Sequence, residues 1–170
     1  MDSTKCYEDY PLWIVLVSNL LTFSIYLIGA YILYQLGLVW LVLYLAYALF
    51  LEIRVLQKSC PDCYYFGKTC AFGKGRLAPA LSRKGSAKFS DRQITWKDVL
   101  PDFLVSLIPM IVAIGLLVMN FSWLMLALLI SLLLLGFVGT AFVRGQLACN
   151  HCKQRELGCP AERLFSKKNG

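Results

Sequence analysis

The sequence predicts an all-α integral membrane protein: four transmembrane helices, arranged as two parallel helical-hairpin repeats, each followed by a cytoplasmic C-x2-C-x6-C motif. Three observations lead there. Of 170 residues, 58% are hydrophobic and only 16% are charged, far too apolar for a soluble domain of this size. Two runs, Pro11 to Leu51 and Phe103 to Val143, carry no charge, and each is about twice the ~20 residues that cross a bilayer as a helix. Six of the seven cysteines occur at one spacing used twice, once behind each apolar run.

In chain order, residues 1–10 form a short tail containing Cys6. The tail is acidic (Asp2, Glu8 and Asp9 against Lys5) and the apolar run behind it is too long for a signal h-region, so no cleaved signal peptide is expected. The first helix is expected over about 11–34, with Tyr10 and Trp13 at interface depth. Ser18 and Thr22 lie four apart, a small polar stripe suited to close helix contact. The chain is expected to turn near Gln35-Leu36-Gly37 and to return as a second helix over about 38–56. Trp40 and Tyr44 stand at that helix's outer entrance, and Glu52 and Arg54 at its cytoplasmic exit.

A basic linker, about 71–97, separates the halves. Its Gly73–Asp91 stretch is rich in Gly, Ser, Lys and Arg and reads as a flexible loop against anionic head groups, or as a solvated linker that fixes topology. Few aromatics and no recognisable module argue against nucleic acid as a partner. Thr95-Trp96-Lys97-Asp98 reads as a capping box starting a third helix, whose transmembrane part is expected over about 101–119. Pro101 suits a first turn, whereas Pro109 should kink the helix unless neighbours compensate. A turn at Asn120-Phe121-Ser122 leads to the fourth helix, about 123–144, which carries Gly136, Gly139 and Thr140. The glycosylation sequon in that turn lies too close to lipid to be used.

Charge placement predicts orientation. All 17 Lys and Arg fall in the tail, the central loop or the C-terminal segment, and none in the hairpin turns. The positive-inside rule makes the face carrying both termini and both cysteine motifs cytoplasmic. The apolar runs hold no Asp, Glu, Lys, Arg or His, which argues against proton- or ion-coupled transport.

A shift of 89 residues superposes Asp9 on Asp98, Gln57 on Gln146 and Cys60, Cys63 and Cys70 on Cys149, Cys152 and Cys159. Repeat 1 is therefore set at about 9–70, repeat 2 at about 98–159 and a short tail at 160–170. Two hairpins of the same orientation are related by a pseudo-twofold axis along the membrane normal. Such an axis brings the two cysteine motifs together.

A C-x2-C pair presents two thiolates from one tight turn, and a third cysteine closes from the far side. Three ligands leave a four-coordinate ion one short. His151, Asp62, Cys6, an external ligand or a sulfur of the other half could complete it. The candidate metal ligands are Cys60, Cys63, Cys70, Cys149, Cys152, Cys159 and His151, with zinc ahead of an iron–sulfur cluster as the bound group. Used twice, the spacing resembles the fungal zinc binuclear cluster module. That resemblance covers the six cysteine positions and implies two zinc ions held by six thiolates. It implies nothing about DNA.

The alternative is a membrane electron-transfer protein or a thiol–disulfide oxidoreductase, using the cluster or the CxxC pairs, since Cys60-Pro61-Asp62-Cys63 is a CxxC with an internal proline. Four-helix membrane oxidoreductases that pass electrons from dithiols to quinone look superficially similar. Against it, cytoplasmic thiols are kept reduced, and a third cysteine is surplus to a redox pair. A soft-metal handling protein is a further alternative. The expected function is a metal-binding membrane anchor or accessory subunit, more an assembly component than an enzyme, with a protein partner or a second copy beside it.

Overall fold

The computed structural model describes residues 6–85, 89–91 and 95–159. Ser86 and Lys88 of the basic loop, and the 160–170 tail, lie outside the described residues. Four helices are long and apolar enough to cross a membrane: α1 (Leu12–Tyr34), α2 (Leu38–Lys58), α4 (Lys97–Met119, within a helix that begins at Trp96) and α5 (Trp123–His151). A short helix, α3 (Lys74–Leu81), lies between α2 and α4, and a single turn, α6 (Lys153–Glu156), follows α5.

The two sharp reversals fall where the sequence places them. Gly37 takes φ 129°, a conformation open to glycine, and ends the α1–α2 turn. Asn120 and Ser122 adopt extended backbone between α4 and α5. At the start of α4, the Thr95 amide donates to Asp98 Oδ2 at 3.2 Å, completing the capping box. Thr95→Ala is expected to cost about 0.5–2 kcal/mol, read as a lowered unfolding temperature in detergent micelles.

The outer surface is apolar: Leu16, Leu20, Phe23, Leu43, Ile111 and Phe137 are all exposed. A bilayer solvates such a surface, so the bundle is held by close packing and polar contacts inside it. That interior is formed by Ile25, Ile32 and Leu33 of α1, Tyr44, Ala48 and Leu51 of α2, Val105 and Ala113 of α4, and Met125 and Leu132 of α5. Helix α1 packs against α2, α4 and α5 and is the bundle's central strut.

The hydrogen bond that Pro109 removes is replaced. Proline has no N–H for the carbonyl four residues back, here Val105 O. The Tyr44 hydroxyl fills the gap, donating to that oxygen at 3.0 Å from α2. Gly29 of α1 lets it through, because a Cβ there would collide with the Tyr44 ring and hydroxyl.

Three other expectations are corrected. Helix α2 runs on to Lys58, so Glu52 lies within it rather than at its exit. Its carboxylate turns inward, accepting from the Tyr26 hydroxyl at 2.8 Å and pairing with Lys74 Nζ at 2.6 Å. The fourth helix does not stop at 144: it continues through π-helical turns at Leu134–Gly139 and Val143–Ala148. Gly139 sits where a Cβ would press 2.8 Å from a Leu21 methyl of α1, and the widened turn accommodates that approach.

The linker is not all loop. Residues 74–81 are helical because Ala78 is fully buried, Lys74 is tied to Glu52 and Ser82 Oγ donates to Leu56 O at 3.3 Å. Pro79 lies inside α3, yet the carbonyl it orphans, Gly75 O, accepts the Gly67 amide at 2.9 Å.

Candidate metal centre

Both cysteine motifs lie at the end of the bundle opposite the two hairpin turns. Each opens with the same turn. The Cys63 amide donates to Cys60 O at 3.2 Å, and the Cys152 amide to Cys149 O at 3.3 Å. Each then takes one further step of the same kind: Phe66 N–H to Cys63 O at 3.1 Å, and Arg155 N–H to Cys152 O at 3.0 Å. The settings differ. The first motif follows the end of α2, where the Ser59 and Cys60 amides both donate to Val55 O, whereas the second begins on a 3-10 turn, Cys149–His151, that continues α5.

The Gly75 amide donates to Cys70 Sγ at 3.3 Å. A donor aimed at sulfur favours the thiolate, the form that binds metal.

Two further segments weld the motifs together. In the N-terminal tail, Tyr7 forms an isolated parallel β-bridge with Cys152, and its amide donates to His151 O at 3.0 Å. Tyr10 N–H donates to Thr69 O at 3.0 Å, and Asp9 Oδ1 accepts the Thr69 amide at 2.8 Å. Between the motifs, the Tyr64 amide donates to the buried Gln154 side chain at 2.8 Å. The Tyr65 hydroxyl donates to Tyr7 O at 2.6 Å and accepts Lys153 N–H at 3.0 Å.

A row of rings, His151, Tyr7, Tyr10, Tyr65 and Tyr64, runs through this cap at centroid spacings of 5.0, 5.4, 5.5 and 5.2 Å. Tyr10 and Tyr65 of this row join Ile14, Ala71 and Ala148 in an apolar core, against which Cys63, Cys70 and Cys152 all pack. Tyr10 is therefore not an interface anchor. It is 4% exposed, and its hydroxyl donates to Ala148 O.

The structure thus brings Cys63, Cys70 and Cys152, from both halves, onto one apolar floor. His151 lies against the Tyr7 ring, and Asp62 is where a Cβ on Gly85 would land. All seven cysteines are free thiols. Among the described residues, no three Cys, His, Asp or Glu side chains are drawn around a common point as a bound ion requires.

Burial pushes the Cys60 thiol up to about 11, with Cys70 adding to the rise and Lys74 opposing it. Burial likewise pushes Cys63 up to about 12 and raises Cys152. Nucleophilic cysteines of redox motifs have lowered values, so these thiols have the opposite character. A nearby cation is what would convert them to thiolates.

The tyrosines and Gln154 were not singled out as cap residues from the sequence. Tyr64-Tyr65 directly behind Cys63 is the one local signal, because adjacent bulky rings in a polar cysteine loop need a floor to pack on. Comparison with known families, with curated proteins and with solved structures finds no match.

Proposed function

We propose that this protein is a metal-binding integral membrane protein in which two hairpin repeats present one thiolate cap at the cytoplasmic face. The ligands are Cys60, Cys63, Cys70, Cys149, Cys152 and Cys159, and zinc is the favoured ion. The observation that carries the proposal is the pairing of the two motifs. Both C-x2-C turns close by the same backbone hydrogen bond, and Cys63, Cys70 and Cys152 pack against one apolar core.

The bound metal would staple the two halves and the tail, giving a small cap a stability its limited core cannot supply. An anchor or accessory role follows from that rigidity, with a protein partner or a second copy meeting the cap. The basic flank, including Arg76, Arg83 and Lys84, would rest against anionic head groups.

The test is elemental analysis with an absorption spectrum on protein purified without oxygen or chelator. Stoichiometric zinc and a featureless visible spectrum are expected. Iron with acid-labile sulfide would replace zinc by a cluster and make the protein an electron carrier. Absence of any metal, with a disulfide in the fresh protein, would overturn the proposal in favour of thiol–disulfide chemistry.

A further inference from the structure

Resting on the head-group part of the proposed function and not on the bound ion, we infer that α3 is an interfacial helix of the same bilayer that the bundle spans. Leu77 and Leu81 enter the edge of the acyl layer, and Arg76, Arg83 and Lys84 take the phosphates of anionic lipids.

Depth is the first argument. Behind Cys70 the chain folds back down beside the bundle. The Asn19 side chain donates to Phe72 O at 3.3 Å, a Cβ on Gly73 would meet a Val15 methyl at 3.1 Å, and Lys74 Nζ pairs with Glu52 at 2.6 Å. Asn19 and Glu52 each stand about 15 residues from the α1–α2 turn, roughly 22 Å along the helix. A hydrocarbon core is about 30 Å thick, so with that turn at its far edge residues 72–74 lie inside the near one. The other end of α3 is higher. Ser82 Oγ donates to Leu56 O at 3.3 Å, about one helical turn above Glu52. A helix of this length spans about 12 Å and here climbs only about 6 Å, so it lies slanted along the boundary.

The side chains sort to match. Gly75 and Ala78 are buried, whereas Leu77 and Leu81, one turn apart, are 59% and 50% exposed. Leu16 and Leu20 of α1, at the same height, are exposed in the same way. An interfacial helix carries apolar residues on such a face with cations beside them. The cations divide by depth. Lys74, at the low end, is neutralised by Glu52. Arg76, Arg83 and Lys84 are exposed and make no ion pair among the described residues. Cations left open at head-group level select anionic lipid over neutral. A protein partner on this face would have to displace lipid to reach it.

The same helix seats the first cysteine motif. From its buried side, Gly75 N–H donates to Cys70 Sγ at 3.3 Å and Gly75 O accepts Gly67 N–H at 2.9 Å. Lipid held on the outer side steadies the loop that carries Cys70, so head-group charge becomes an input to the cap.

The experiment places the full-length protein in nanodiscs of phosphatidylcholine, with and without phosphatidylserine. Amides within 74–82 are expected to exchange at least about tenfold more slowly in the anionic discs. Arg76→Glu combined with Arg83→Glu should abolish that difference. Leu77→Trp should add short-wavelength emission to that of the four native tryptophans, and lipids brominated high on the acyl chain should quench it. Amides around Tyr44 and Val105 are the folding control and should keep their protection in every variant.

Added emission that is unquenched and at the wavelength of water-exposed tryptophan would overturn the inserted helix, and charge-dependent exchange alongside it would leave the basic flank on its head groups. Equal exchange in both discs would overturn the choice of anionic lipid. Protection that follows the number of copies per disc rather than phosphatidylserine would give the face to a second copy and overturn lipid as its occupant. Metal content of the same samples reports on the cap separately, and a metal-free protein with the expected quenching would leave α3 in the boundary.

Discussion

Tyr44→Phe is expected to destabilise the bundle by about 1–3 kcal/mol, the cost of leaving one buried carbonyl unpaired. The tyrosine reaches from α2 to α4, where its hydroxyl replaces the hydrogen bond that Pro109 cannot make to Val105 O. In a hydrocarbon interior no water can take over that oxygen. The sharper test is the double variant. Pro109→Ala restores an N–H that can reach Val105 O along the helix, so Tyr44 loses its special task. Tyr44→Phe should then cost much less in the Pro109→Ala background than alone, a non-additivity measured by thermal unfolding in the same detergent. Equal costs in both backgrounds would mean that the hydroxyl contributes packing rather than repair.

Gly29→Val should be at least as damaging as Tyr44→Phe. A Cβ at position 29 falls 2.7 Å from the Tyr44 Cζ atom, and a valine adds two methyl groups to that overlap. Overpacking of this kind costs about 1–3 kcal/mol. It would also swing the hydroxyl away from Val105. Gly115, on α4, has nothing within 4 Å of an added Cβ, and Gly115→Ala is the matching neutral control.

Much of the bundle was legible because a membrane simplifies the problem. Charge-free runs of double length leave only helices, and Gln35-Leu36-Gly37 and Asn120-Phe121-Ser122 are the polar or glycine breaks within them. What could not be read were the contacts between helices. Pro109 alone predicts a kink; its repair depends on Tyr44, distant in sequence, and on Gly29 giving it room. Glu52 reads as an exit marker because charge belongs outside lipid, and only its meeting with Tyr26 and Lys74 explains how it lies further in.

The cap shows the same division. Cysteine spacing names six of its residues. Tyr7, Tyr10, Tyr65 and Gln154 carry no spacing signal, because their partners are set by where three separate segments meet. Helix α3 was missed because glycine, proline and basic residues suggest a loop, while its helicity depends on Glu52, Leu56 and Gly67 elsewhere.

Gly75→Ala is expected to be the most disruptive single-methyl change in the cap, on the order of 3 kcal/mol. A Cβ there would drive into the carbonyl of Tyr65 and come within 2.6 Å of that of Lys68. Both are backbone atoms in the first motif, where the Tyr65 carbonyl also accepts the Lys68 amide. Neither can rotate aside as a side chain would, so α3 must lift from the loop. Three contacts go with it: Gly75 N–H to Cys70 Sγ, Gly67 N–H to Gly75 O and the Lys74–Glu52 ion pair. On the metal-cap proposal, metal affinity should fall with them, because Cys70 loses the donor that favours its thiolate. Hydrogen exchange separates this from general unfolding: amides of the 60–75 loop should exchange faster, while those around Tyr44 and Val105 keep their protection. Unchanged metal binding together with unchanged exchange in that loop would mean that α3 is not seated on the first motif, and that the cap is held by the tail and the second motif alone.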